Sequence, residues 1–207
     1  MKTLLQLHTS LFSDAGQSSR LASRFVADWR AANPDGTVIA RDLAREPVPH
    51  LTAERFQSFL APAGERTPAQ QAVVEYSDAL IEEIRRADEI VIGLPMYNFG
   101  VPSTLKAYFD HIARVGMTFR YTEKGPEGLL TGRKVYVFAT RGGSYAGTPG
   151  DTETAYVRQF LAFLGIDDVE FVYAEGLAIS EASKASALSR AERAIERLVA
   201  PEERLAA

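Results

Sequence analysis

The stretch "EIVIGLP", Glu89 to Pro95, runs through β-branched and apolar side chains with hardly a polar break. A half-exposed strand alternates, whereas a continuous apolar run of this length is the mark of a strand covered on both faces. Upstream, Thr67, Pro68 and Gln70 stand at N-cap, N1 and N3 of a helix start. Val73, Val74, Ser77, Leu80, Ile81 and Ile84 mark that helix's buried stripe. Downstream, "MYNFGVP" is followed by a helix over Ser103 to Val115, read from Leu105, Tyr108, Phe109 and Ile112. One βα step is thus legible around this strand.

The same grammar extends both ways. Thr3 to Thr9 is a short apolar strand, and Ser18 to Ala32 a helix carrying Leu21, Phe25, Val26 and Trp29 at helical spacing. "ANPDG" stops it and Thr37 to Leu43 supplies the next strand. Residues 44 to 66 form a long excursion with one helical pattern at Phe56, Phe59 and Leu60. Met117 to Leu130 reads as a hairpin turning at Gly125-Pro126. Strands at Lys134 to Thr140 and Val169 to Tyr173 alternate with helices at Thr152 to Leu164 and Ser180 to Ala200.

Strands alternating with helices require right-handed crossovers, hence a parallel sheet with helices on both faces. Five strands suit the flavodoxin-like order 2-1-3-4-5, an α/β three-layer sandwich. The expected organisation is one domain over residues 1–200 with a tail at 201–207. In such a sheet a ligand lies beyond the carboxyl ends of the strands at the β1/β3 switch point. The loops there are residues 9–18, 95–102 and 140–150.

Composition narrows the chemistry. The 207 residues are 46% hydrophobic and 24% charged, ordinary globular values. A net charge of −4 without long charge runs argues against nucleic-acid or anionic-membrane partners. The absence of cysteine excludes disulfides, thiolate nucleophiles, Fe–S clusters and Cys-type zinc sites. "MKTLLQLHTSLF" reads as a first strand rather than a signal peptide, because Gln6 and His8 interrupt it. No apolar run approaches the ~20 residues of a membrane span. A soluble, cytoplasmic protein is expected.

Each of the three loops has its own chemistry. "TSLFSDAGQSS" opens into a helix, whose N-terminal N–H groups and dipole favour phosphate; Ser10, Ser18, Ser19 and Gln17 add donors. The alternative is simple N-capping, and Asp14 is expected to cap the helix. Neither the Walker pattern nor G-x-G-x-x-G occurs. "PMYNFGVP" offers an apolar, aromatic wall around Asn98, whose amide both donates and accepts. "TRGGSYAGTPG" brings glycines whose backbone can approach a ligand closely and whose N–H groups can cradle negative charge. A phosphate joined to a flat polar aromatic ring satisfies all three loops, and FMN is such a ligand.

"PMYNF" (95–99), "TRGG" (140–143) and "TFRYTEKGPEGL" (118–129) resemble the FMN-dependent NADH-azoreductases, which are also quinone reductases, and the resemblance covers essentially the whole chain. It implies a homodimer with two tightly bound FMN molecules at the subunit interface. By position, the implied phosphate site is Ser10, Gly16, Gln17 and Ser18. The implied isoalloxazine contacts are Pro95, Met96, Tyr97, Asn98 and Phe99, together with Thr140, Arg141, Gly142 and Gly143. Tyr121 and Phe163 match aromatic positions on the substrate side. Relatives often carry Ser at the positions of Gly16 and Thr140; at Gly16 a backbone N–H is then expected to replace the missing hydroxyl.

The implied reaction is a two-step exchange: NADH or NADPH reduces FMN, then a quinone, azo or nitroaromatic compound takes the electrons. The flavin carries the bond chemistry and no essential side-chain nucleophile is expected. Gly142 and Gly143 N–H groups are the candidates for stabilising the anionic edge of reduced flavin. His8, His50 and His111 are scattered without metal or triad spacing, so neither a metal site nor a hydrolase is expected. Two other readings compete: a flavodoxin-type electron carrier docking to proteins, and a flavin-free binding module. The 44–66 and 117–130 excursions favour the enzyme, because they can wall a substrate pocket.

Overall fold

Strand β3 (Glu89–Pro95) lies at the centre of a five-stranded parallel sheet in a computed structural model that describes residues 1–199. The order is β2-β1-β3-β6-β7, with β1 Thr3–His8, β2 Thr37–Asp42, β6 Lys134–Thr140 and β7 Asp168–Ala174. Leaving out the separate two-stranded hairpin of β4 (Phe119–Thr122) and β5 (Gly125–Gly128), this is the expected order 2-1-3-4-5.

Side-chain alternation divides the core in two. Leu4, Val91, Tyr136, Phe138 and Val172 meet Leu21, Phe25, Val26 and Trp29 of α1 (Gln17–Ala32) and Ala191 and Ile195 of α6 (Glu181–Val199). Their strand neighbours Leu5, Leu7, Ile90, Ile92, Val135 and Val137 point the other way. They pack on α3 (Pro68–Arg86), α4 (Ser103–Ile112) and α5 (Thr152–Phe163). Each central strand is therefore apolar on both faces, the reason "EIVIGLP" has no polar alternation.

The helix boundaries have local causes. Thr67 and Gln70 make both halves of a capping box at the start of α3. Helix α4 stops at Ile112, short of the expected Val115: Ala113 leaves helical backbone at ψ 81°, and the Thr118 hydroxyl donates to the freed Ile112 carbonyl at 2.5 Å. The hairpin turns at Glu123-Lys124, two residues before the expected place. Gly125 closes that turn at φ +109°, and Pro126 pairs with Tyr121 on a ribbon that needs no further ladder donor. The 44–66 excursion contributes α2 (Ala53–Leu60), with Phe56 and Leu60 exposed. Ala200 and the tail at 201–207 lie outside the described residues. Among those described, no helix is long and apolar enough to cross a membrane.

Candidate active site

The three loops meet at the carboxyl ends of β1, β3 and β6, adjacent strands of the sheet. Gly93 sets the first approach: a Cβ there would stand 2.9 Å from the Ser18 carbonyl oxygen, so α1 starts directly on β3. The Thr9 hydroxyl donates to the Gly93 carbonyl at 2.7 Å and ties the two strand ends. A lone glycine in a β-branched run signals such close approach, and that signal was available in the sequence.

Helix α1 begins without a side-chain cap, its N-cap being Gly16. The capping alternative therefore fails. Asp14 sits in a 3-10 turn and pairs with Arg45 at 2.8 Å rather than capping. The first helical bond runs from Arg20 N–H to Gly16 O, so the N–H groups of Gln17, Ser18 and Ser19 precede the ladder. The hydroxyls of Ser18 and Ser19 are buried and unpartnered. The Gly16 N–H, expected to serve as a donor, is instead bonded to Ser13 O at 3.2 Å. Gly16 packs on Ser10, whose Oγ would lie 2.2 Å from a Cβ built there. Leu11 and Phe12 project into solvent beside this start.

The second loop is a tight turn. Tyr97 and Gly100 exchange both backbone hydrogen bonds, with Asn98 at φ +50° and Phe99 at φ +61°. Left-handed backbone suits Asn and strains a Phe, so something must hold Phe99. Its carbonyl accepts from the Thr152 hydroxyl at the start of α5, and its ring meets Tyr145 edge-on at 5.5 Å. The Tyr97 hydroxyl accepts from the Leu11 N–H at 3.2 Å, and Met96 N–H donates to Thr140 O at 3.0 Å. These two bonds lock the middle loop to the other two.

In the third loop the carbonyls of Gly142 and Gly143 are taken by Ala178 N–H and Gly176 N–H. Their own N–H groups make no hydrogen bond among the described residues. Arg141, implied as a ring contact, turns inward instead. Its side chain is fully buried, with Asp151 at 2.6 Å, Glu175 at 3.1 Å and Glu153 at 3.5 Å. Its N–H and carbonyl are spent on Ala174 and Leu177. Burial lowers the guanidinium's pKa, but hydrogen bonds and charge from Asp151, Glu175 and Glu153 more than offset this. Burial also works against the Asp151 carboxylate, yet bonds from Arg141 and Thr154 hold it below its usual value. For Glu153 burial wins, pushing it up to about 8 against the pull of Arg141. Asp151, Glu153 and Glu175 were not singled out in the sequence, because isolated acids carry no motif.

Beside the Phe99 turn lies a cavity of about 470 Å³ lined by His50, Phe99, Val101, Lys106, Glu153 and Tyr156. His50 brings the 44–66 excursion to this cavity. His8 is a buried sheet residue whose pKa is lowered by burial. Tyr121 and Phe163 are not brought to these loops within one chain. Helix α5 leaves the crevice at Thr152 and reaches Phe163 about 17 Å further on. There Phe163 packs on Phe119 at 4.4 Å, while Tyr121 is 72% exposed.

An α/β sheet of this order, with its loops gathered at the switch point, defines a flavodoxin-like protein, and a family described by that fold matches residues 2–199. An FMN-dependent NADH:quinone oxidoreductase of Cellvibrio japonicus is 57% identical over 192 residues, 93% of this chain and 96% of the relative. Another, from Burkholderia lata, is 50% identical, covering 94% of this chain and 98% of its own. The chain belongs to the FMN-dependent NADH:quinone oxidoreductase family. Among solved structures, an azoreductase of Bacillus anthracis superposes with a TM-score of 0.88 at 26% identity, covering 96% of this chain and 99% of the other. An FMN-dependent NADH-azoreductase of the same species, in complex with FMN, gives 0.85 at 27% identity, covering 97% and 100%.

Proposed function

We propose that this chain is an FMN-dependent NADH:quinone oxidoreductase that also reduces azo and nitroaromatic compounds, working as a homodimer in the cytoplasm with residues 1–200 as its single FMN-binding domain. The observation that carries the reading is two sets of uncommitted backbone donors flanking an apolar wall. One set is the N–H groups of Gln17, Ser18 and Ser19, and the other those of Gly142 and Gly143. The wall between them is Pro95 to Phe99. The relatives' names, which pair FMN and NADH with quinones or azo compounds, agree with it.

The donor set fits FMN. A phosphate at the α1 start receives those N–H groups and the positive end of the helix dipole, with hydroxyls of Ser10 and Ser18 adding to them. A flat ring beside Met96, Tyr97 and Phe99 meets apolar and aromatic surface, with Asn98 and Thr140 supplying polar atoms at its edge. Arg141 belongs to the loop's support rather than to the ring contacts. When bound, FMN would supply the two-electron chemistry between NADH, or NADPH, and the acceptor.

The protein's own part is orientation and electrostatics. The uncommitted Gly142 and Gly143 N–H groups would stabilise negative charge on the ring edge, as preorganised donors do in an oxyanion hole. Leu11, Phe12, Phe99 and Ile179, all exposed in the single chain, can exclude water once covered. A second copy provides that cover. It also supplies Tyr121 and Phe163, which one chain keeps at the far end of α5, so that a substrate pocket combining them with the loops takes residues from both subunits. The whole is a three-layer sandwich with its two sites between protomers.

An anaerobic stopped-flow experiment tests this reading. FMN-loaded protein is mixed with NADH, then with NADPH, and the reduced form is chased with a quinone. Rapid bleaching by a nicotinamide followed by rapid reoxidation is expected. Stable FMN binding with negligible bleaching by either donor overturns the enzyme reading in favour of an electron carrier.

A further inference from the structure

The glycine loop owes its shape to a buried ion cluster behind it. Arg141 Nη2 bonds Asp151 at 2.6 Å and Thr154 at 3.1 Å, while Nη1 bonds Glu175 at 3.1 Å. The same Glu175 oxygen accepts the N–H groups of Tyr145 at 2.8 Å and Ala146 at 2.9 Å. Arg141 thereby fastens the residues that follow Gly142 and Gly143 to the end of β7 and the start of α5. Its Nε donor has no hydrogen-bond partner and stands 3.5 Å from Glu153 Oε2.

Glu153 is the odd member. Its side chain is fully buried and neither carboxyl oxygen has a hydrogen-bond partner. One guanidinium facing three ionised carboxylates would leave an interior charge of −2, and a buried unpaired charge is strongly disfavoured. Asp151 and Glu175 are satisfied by several donors each, so the proton falls to Glu153. The other groups around it are few. Lys106 of α4, already paired with Asp110, and His50 of the long excursion line the same cavity, as does Tyr156. Tyr173 of β7 lies under the Arg141 guanidinium at 5.1 Å.

We propose that Arg141 and Glu153 form a proton-dependent positioning device for the Gly142–Gly143 loop. With Glu153 protonated, the guanidinium is committed to Asp151 and Glu175 and the loop keeps its N–H groups aimed at the crevice. Loss of that proton to solvent turns Glu153 into a competing anion that draws Arg141 through Nε, and the loop slackens. With its side chain buried against Asp151 and Glu175 and its backbone bonded to Ala174 and Leu177, Arg141 acts through the loop. The burial that raises Glu153 to about 8 puts the transition just above neutrality.

The inference rests on the FMN reading above. Its test is the FMN dissociation constant, followed by quenching of flavin fluorescence between pH 6 and 9. It is measured for the unaltered chain, Glu153→Gln and Arg141→Lys, with far-UV circular dichroism reporting folding. The unaltered chain is expected to lose affinity above pH 8, by up to about tenfold per pH unit for one coupled proton. FMN's own titration is common to all three proteins, so the ratio between them isolates the device. Glu153→Gln removes the alkaline loss, and Arg141→Lys weakens binding across the whole range, because lysine cannot span Asp151 and Glu175 as the fork does. Coincident pH profiles for the unaltered chain and Glu153→Gln overturn the proposal, even if Arg141→Lys fails to fold. Absence of FMN binding by the unaltered chain at every pH instead overturns the cofactor reading, and this proposal with it.

Discussion

At the scale of single residues, the buried Glu153 carboxyl also shapes stability. In the unfolded chain it releases its proton near the ordinary value of 4.5, whereas burial holds the proton on in the fold up to about 8. Between those limits the folded state binds more protons than the unfolded one, so stability falls as pH rises. The slope from this group reaches about 1.4 kcal/mol per pH unit. Glu153→Gln is therefore expected to gain more stability over the parent at pH 7.5 than at pH 5.5. Urea unfolding at one protein concentration measures this. Equal differences at the two pH values would sink the idea that Glu153 is folded with its proton. Residues of this kind were illegible in the sequence, where Glu153 is one acid in "GDTETAY"; its burial depends on α5 starting against the end of β6.

At the scale of elements, the hairpin and α5 are joined by two glycines in contact. A Cβ at Gly128 would stand 2.0 Å from the Gly165 nitrogen, a backbone atom that cannot swing aside. Leu130 N–H bonds Leu164 O at 2.8 Å just beyond. Gly128→Ala should destabilise the protein by about 3 kcal/mol, as overpacking against backbone does, and should loosen the seat that presents Tyr121. Thermal unfolding with proteolysis in the 117–130 region checks it. Intact melting behaviour would mean that the ribbon is seated elsewhere. The hairpin itself was readable from alternation and Gly125-Pro126, but its turn was misplaced by two residues. A proline marks where a ladder donor is missing, not which side of the turn it occupies.

At the scale of the whole molecule, the distance along α5 separates Tyr121 and Phe163 from the loops in one chain, which makes a composite site testable by complementation. Gly143→Val places a side chain where even a Cβ meets the Tyr145 ring at 2.8 Å, and should abolish FMN retention. Tyr121→Ala should retain FMN and lose quinone turnover. Mixed and re-equilibrated, the two chains form hybrid dimers with one intact site, restoring about a quarter of parental sites if subunits pair at random. No recovery of turnover, with hybrids shown to form, would place Tyr121 and the loops of the same chain in one site.

The sequence by itself determined the strands and helices, the sheet order and the three loops at its carboxyl edge. The elements and loops follow from apolar periodicity, capping residues and glycine placement, all local properties of the chain, and the order follows from the count and alternation of strands and helices. The tertiary structure alone decided which groups in those loops face outward. Arg141 was read as a ring contact, yet Asp151, Glu153 and Glu175, 10 to 34 positions along, turn it inward. At Gly16 a backbone N–H is expected in place of a hydroxyl; Gly16's own is bonded to Ser13, and the free ones are those of Gln17, Ser18 and Ser19. Tyr121 and Phe163 match substrate-side positions, and the fold sets Phe163 at the far end of α5 with Tyr121 on the adjoining hairpin, away from the loops of their own chain. Side-chain direction and hydrogen-bond commitment depend on residues distant in sequence, and they exist only once those residues have been packed together.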